Sequence, residues 1–232
     1  MTELFRYQRW THPVRDGRTP KFFVLVMSPS HNSNMQGAYW PCCEVYTTMQ
    51  PQPDTTSHPW LHGIIRADSA LLTRFNQVDH PLLDRIMGVL TVLGNTTTWV
   101  LVGVGLLLLD GAAHMAGQRL AIAALSGAAI AQTFKRFFQR PRPVAVLPEL
   151  RIRCAVPVCS SFPSGHTLTA FSVAMAFGGM QTPWGVALLL LAGGIATSRV
   201  HLGAHYPMDV LVGALMGGTF GHVLYELGGA PF

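Results

Sequence analysis

Two long runs in this chain, residues 167–198 and 210–225, contain no Asp, Glu, Lys or Arg. A membrane span needs about 20 mostly apolar residues, and consecutive charge-free stretches of this length are rare in soluble folds. The runs therefore predict membrane helices rather than a large buried soluble core. Composition agrees, because only 12% of the 232 residues are charged, about half the usual share of a soluble domain. Five spans are expected, at roughly 90–109, 120–138, 166–180, 184–198 and 210–226. The fold class is all-α: a polytopic membrane helical bundle of about five transmembrane helices. Gly213, Gly217 and Gly221 recur every fourth residue, as small residues do where helices approach closely in lipid. They signal packing and carry no chemistry.

Residues 1–58 are polar, rich in Pro, Ser, Thr and Asn, and lack helical periodicity, which predicts a poorly ordered arm. The apolar run at 22–27 is too short for the core of a signal peptide. The membrane domain is expected over 59–232. In residues 60–75, Leu61, Ile64, Ile65, Leu71, Leu72 and Phe75 fall at helical spacing, with Arg66, Asp68 and Arg74 among them. This pattern predicts an amphipathic helix on the membrane surface, before the spans. Pro81 opens a further helix, and Gly94-Asn95 breaks or bends the chain.

The formal net charge is +5, but the cations cluster: Lys135, Arg136, Arg140, Arg142, Arg151 and Arg153 lie between the second and third spans. A positive-inside flank and an anion site both fit this cluster. The cysteines are Cys42, Cys43, Cys154 and Cys159, with no metal-ligand spacing. Cys154 and Cys159 share the basic loop, leaving both a disulfide and two free thiols open.

Counting spans puts three polar clusters on one face of the membrane. The first is Lys135-x6-Arg142-Pro143, where a mobile cation and a planar fork suit phosphate oxygens, although snorkelling flanks use the same residues. The second is Ser160 to His166, opening the third span. Ser164 is a candidate helix cap, Gly165 permits close backbone approach, and His166 stands where it can protonate a leaving oxygen. A capped helix with an interfacial histidine reads the same residues without chemistry. The third is Ser198-Arg199-x5-His205-x3-Asp209. Here Arg199 is a phosphate clamp, His205 a nucleophile and Asp209 the acceptor that fixes its tautomer. His201 is taken as structural or interfacial. Arg151 and Arg153 are candidates to grip a second phosphate.

Together, Lys135/Arg142/Pro143, Pro163/Ser164/Gly165/His166 and Ser198/Arg199/His205/Asp209 resemble, without substitution, the signature of the type-2 phosphatidic acid phosphatase superfamily. The resemblance implies a helical bundle and phosphate ester hydrolysis through a phosphohistidine, with no metal and no cofactor. Lys135, Arg142, Ser164, Gly165 and Arg199 would hold the phosphate. His205 would attack, Asp209 would orient it, and His166 would protonate the leaving group. The expected partners are a phosphorylated lipid and the bilayer, with no nucleic acid. An isoprenyl diphosphate such as undecaprenyl diphosphate is favoured over phosphatidate, phosphatidylglycerol phosphate and lipid A phosphate. A vanadium haloperoxidase and a non-catalytic phospholipid-binding protein are the remote alternatives. The expected location is the bacterial inner membrane, multi-pass, with the site on the periplasmic side. Members commonly have six spans, and residues 1–60 offer none before the surface helix.

Overall fold

The computed structural model describes residues 59–147, 150–151, 153–154 and 160–228. The arm expected over 1–58 lies outside these residues. The described residues form eight α-helices and no strand. They are α1 (Pro59–Asn76), α2 (Pro81–Leu93), α3 (Thr96–Leu107), α4 (Ala112–Phe137), α5 (Pro143–Val146), α6 (Gly165–Ala176), α7 (Pro183–His201) and α8 (Pro207–Gly228).

Local chemistry sets many of these starts. Proline opens α2, α5, α7 and α8, where its missing N–H and preset φ cost nothing. Thr182 caps α7 by accepting from the Gly185 N–H at 3.0 Å, and Asn95 caps α3 by accepting from the Thr97 N–H at 3.4 Å. The Gly94-Asn95 break expected from sequence is present: α2 and α3 meet there at a bend of 57°.

The expected count of five spans is not confirmed. Among the described residues, α7 and α8 are by themselves long and apolar enough to cross a membrane, and α2 with α3 qualifies as one bent span. The stretch expected as a third span, 166–180, ends its helix at Ala176. Its 12 residues rise about 18 Å, short of the roughly 30 Å hydrocarbon thickness. The cause is local. Gly178 at φ +91° and Gly179 at φ +51° turn the chain into a short 3₁₀ segment, Gly179–Gln181, in a region that side chains with a Cβ avoid.

The short helix α6 is the hub of the bundle, packed against α4, α7 and α8. Ala170, Val173, Ala174 and Ala176 bury completely or nearly so among residues of α3, α4 and α7. Against α8 the approach is backbone to side-chain-free backbone. A Cβ built on Gly217 would collide with the Leu168 carbonyl, one on Gly221 with the Ser172 carbonyl, and one on Gly213 would lie 2.9 Å from the Ser164 oxygen. The four-residue glycine spacing is thus the contact line between α6 and α8. At the bundle end where α6 and α8 finish, Arg119 of α4 donates to the Ala176 and Gly228 carbonyls at 3.2 and 3.0 Å. One guanidinium there satisfies carbonyls of two helix C-termini, which lack intrahelical partners. The opposite end holds the start of α6, the end of α7 and the start of α8.

Gly217→Ala should force α6 and α8 apart and destabilise the protein by about 1–3 kcal/mol, as overpacking does. Gly218→Ala is the control, since its nearest neighbour lies 4.0 Å from an added Cβ. Thermal unfolding midpoints in detergent should fall for the first variant and hold or rise for the second.

Candidate active site

Three segments far apart in sequence are sewn together at this end by short polar contacts. The Ser161 N–H donates to the Arg140 carbonyl at 2.9 Å, joining the first motif to the second. The Ser164 N–H donates to the Asp209 carbonyl at 3.0 Å, joining the second to the third. Arg142 Nη1 donates to the Ala204 carbonyl at 3.0 Å, joining the first to the third. The segment after α7 folds back on itself, with the Ala204 and His205 N–H groups both donating to the Arg199 carbonyl. Gly203, at φ +76°, makes this reversal.

His205 is 1% exposed, and Asp209 is fully buried. Arg142 Nη1 lies 3.3 Å from His205 Nε2. A guanidinium has no acceptor, so this contact requires Nε2 to present its lone pair. The proton of the neutral ring then sits on Nδ1, which faces Asp209 Oδ2 at 3.6 Å. That separation is an ion-pair distance and too long for a hydrogen bond, so Nδ1 has no hydrogen-bond partner among the described residues. The expected acceptor is in place, but its oxygens are engaged by Arg140 and by the Tyr206 N–H. Burial, then the charges of Arg142, Arg199 and Lys135, hold the His205 pKa well below the ordinary histidine value.

Arg199 is also buried. Its Nη1 donates to Thr91 Oγ1 of α2 at 2.7 Å, while Nε has no hydrogen-bond partner among the described residues. Lys135 stands half-buried in the last turn of α4. His166, half-buried in the first turn of α6, lies close enough to His205 to oppose its protonation. It also abuts the α2–α3 junction, where a Cβ added to Gly94 would be 3.4 Å from its ring. Ser164 occupies the expected cap position of α6, but its hydroxyl makes no cap bond and instead pairs with Thr167 Oγ1 at 3.0 Å. An added Cβ on Gly165 would meet Ala131 at an ordinary 3.6 Å. All eight residues expected from the motifs therefore gather at one end of the bundle. Among the described residues, no group of three or more His, Cys, Asp or Glu side chains has the arrangement of metal ligands.

The sequence reading missed Arg140. Its Nη1 donates to Asp209 Oδ1 and its Nη2 to Asp68 Oδ2, both at 2.7 Å, and its guanidinium lies 4.0 Å over the Tyr206 ring. Asp68 also accepts from the Met208 N–H at 3.0 Å. Burial opposes the Arg140 charge, but the two carboxylates outweigh it and raise its pKa. A lone acid on the apolar-patterned α1 was the available signal, because buried acids are almost always paired.

A second network engages the two arginines expected to suit a second phosphate. Arg153 donates to the Asn76 and Val78 carbonyls and pairs with Asp84 at 3.2 Å. Arg151 pairs with Asp79 at the surface. These arginines bind α1, α2 and the α1–α2 connection, whose acids and backbone acceptors lie within their reach. His201 joins the same network through Asp84 at 2.7 Å. The Cys154 sulfur lies 4.0 Å from the Leu202 carbonyl, and burial raises its pKa. Cys159, with which the sequence leaves a disulfide open, lies outside the described residues.

Residues 116–230 match the sequence model of the PAP2 superfamily. This chain belongs to that superfamily. Over 104 residues it is 36% identical to the decaprenylphosphoryl-5-phosphoribose phosphatase of Mycobacterium tuberculosis, an overlap of 44% of this chain and 55% of that protein. The chain thus spans about half the length of this relative. Among solved structures, Aquifex aeolicus LpxE is similar with a TM-score of 0.60 and 28% identity, over 68% of this chain and 93% of that one. The PAP2-type phosphatidylglycerolphosphate phosphatase of Bacillus subtilis shares the fold, with a TM-score of 0.59 at 20% identity over 72% and 86% of the two chains. With its apolar helices and these neighbours, the PAP2 chain is an integral membrane protein.

Two outcomes follow from this geometry. Arg140→Met leaves Asp68 and Asp209 buried without their cation, and breaking such a pair costs about 3–5 kcal/mol. Its unfolding midpoint should drop well below that of Arg136→Met, which alters an exposed side chain. His205 gives a pH signature. Its folded pKa is depressed, so the unfolded chain binds the extra proton first. Its contribution to stability is therefore complete above the unfolded value of about 6.5 and is lost as pH falls towards the folded value. The unfolding midpoint should decline from pH 7.5 to 5.5, and decline less in His205→Gln.

Proposed function

We propose that this chain is a membrane lipid phosphatase that cleaves a phosphate ester through a phosphohistidine on His205. The observation that carries this reading is the contact of Arg142 with His205 Nε2, which keeps a lone pair on a buried, neutral imidazole beside a phosphate-binding cation. In this scheme Lys135, Arg142 and Arg199, with Ser164 and Gly165 at the start of α6, hold the phosphate oxygens. His205 Nε2 forms a bond to phosphorus as the ester P–O bond breaks. His166 gives its proton to the leaving oxygen. A water then attacks the phosphohistidine and loses a proton to His166, and inorganic phosphate departs with the P–N bond broken. Asp209 supports the Nδ1–H side of the nucleophile, drawing closer to the ring as Nε2 commits its lone pair. No metal takes part.

The substrate proposed is an isoprenyl phosphate or diphosphate, with undecaprenyl diphosphate first among those to test. Similarity to a decaprenylphosphoryl-5-phosphoribose phosphatase supports the isoprenyl tail. With Arg151 and Arg153 engaged elsewhere, the number of phosphates recognised rests on the remaining cations. The site lies at the bundle end, where a headgroup meets it while the tail stays in lipid. The periplasmic side of the inner membrane is the proposed location.

The test is phosphate release by purified protein in mixed micelles across isoprenyl phosphates and diphosphates, phosphatidate, phosphatidylglycerol phosphate and lipid A. Release should be fastest with an isoprenyl substrate, blocked by vanadate and unchanged by EDTA. His205→Ala should abolish turnover, and His166→Ala should lower kcat by about 10²–10⁴-fold. Wild-type turnover by His205→Ala, or activity lost to EDTA and restored by metal, would overturn the mechanism.

A further inference from the structure

The Arg199 guanidinium is held from outside the motif that contains it. Thr91, in the last turn of α2, lies N-terminal to the residues 116–230 that match the PAP2 superfamily. Its Oγ1 is 2.7 Å from Arg199 Nη1 and 3.1 Å from Ser198 Oγ. Ser198 Oγ in turn lies 2.7 Å from the Ile195 carbonyl.

Hydrogen counting gives these contacts a direction. A carbonyl only accepts, so Ser198 spends its single hydroxyl proton on Ile195. The Thr91–Ser198 contact must then be donated by Thr91. Arg199 has only donors, so Thr91 accepts from it. The chain runs Arg199 N–H to Thr91 O–H, to Ser198 O–H, to the Ile195 carbonyl, and it ends on the backbone of the helix that carries Arg199. Each hydroxyl donates once and accepts once, so the chain has one polarity and no competing arrangement.

The seating of α2 on α7 makes the chain stiff. Leu90 would touch a Cβ on Gly194 at 3.3 Å, and Gly94 sits against Ile195 with no room for a Cβ. One face of α2 thus meets α7 through Asp84 on His201, Leu90 on Gly194 and Thr91 on Arg199. With Nη1 held in this way, the buried Nε–H of Arg199 is left without a partner among the described residues. Such an orphaned donor is costly unless a ligand meets it.

We infer that Thr91 is a positioning residue for phosphate: its hydroxyl fixes the Arg199 fork so that the unpartnered Nε–H faces the phosphoryl oxygens. This inference rests on the phosphatase reading above. Fixing the fork before binding removes rotamer freedom that phosphate would otherwise have to freeze. The role is carried by the hydroxyl, so it separates cleanly from packing.

The experiment compares Thr91→Val, which keeps the shape and loses the hydroxyl, with Thr91→Ser, which does the reverse. Each purified variant is assayed for kcat, KM and vanadate inhibition, with its unfolding midpoint recorded. Thr91→Val should weaken vanadate inhibition and lower kcat/KM by about tenfold, the worth of one hydrogen bond to a charged group. Thr91→Ser should stay within about twofold of wild type in both, and the Thr91→Val midpoint should match that of Thr91→Ser. Thr91→Ala serves as a second hydroxyl-free variant if Thr91→Val does not fold. Equal vanadate inhibition in the valine, alanine and serine variants would overturn the inference while leaving the phosphatase reading intact. Absence of phosphate release by the wild type would instead sink the phosphatase reading, and vanadate binding by calorimetry would then still test Thr91.

Discussion

Arg140 spreads one guanidinium across two carboxylates that the fold has removed from water. Asp68 comes from α1 and Asp209 from the first turn of α8, and neither is tolerable at that depth without a counter-charge. The bond to Asp209 fixes the acid beside His205, while the bond to Asp68 docks α1 onto the bundle and orients the Met208 N–H. The planar fork is what allows this, since a lysine cannot serve two acids in parallel geometry. Tyr206 beneath the guanidinium closes the arrangement through a cation–π contact. The rest of the site is hung from this junction: Arg140 offers its carbonyl to Ser161, and Asp209 offers its own to Ser164.

The apolar bundle gives those charges their force. In lipid or in a packed interior, charge interactions are screened far less than at a wet surface. A cluster of Lys135, Arg142 and Arg199 around a buried imidazole therefore keeps it neutral and leaves its lone pair available. The same low dielectric makes every unmet donor expensive, and this is the force of the unpartnered Arg199 Nε and His205 Nδ1. The glycine contact line between α6 and α8 serves the chemistry indirectly. It sets the axial register of the two helices and so brings Ser164 and Asp209 to hydrogen-bond distance.

Much of the site was legible because its chemistry is written at short, fixed spacings. His205 and Asp209 are four residues apart and flank the start of α8. Gly165 and His166 open α6 as its first two residues. The Gly94-Asn95 bend and the glycine contact line were readable for the same reason, since each is a local property of φ/ψ or of side-chain size. The length of α6 was not readable, because Gly178 and Gly179 interrupt a stretch whose hydropathy continues across them. The fate of Arg151 and Arg153 was also hidden. Their composition suits a phosphate, and only the proximity of Asp79, Asp84 and the Asn76 carbonyl assigns them to structure.

The sequence by itself determined the all-helical class, the membrane character and the set of residues that gather at one end, because charge depletion, periodicity and motif spacing are one-dimensional properties. Which partners those residues take was decided by the tertiary structure. Arg140 bridges acids 72 and 69 residues away, and Thr91 reaches Arg199 across 108. Contacts of that range depend on how helices pack, and packing follows from the shape of whole surfaces, which no local spacing records.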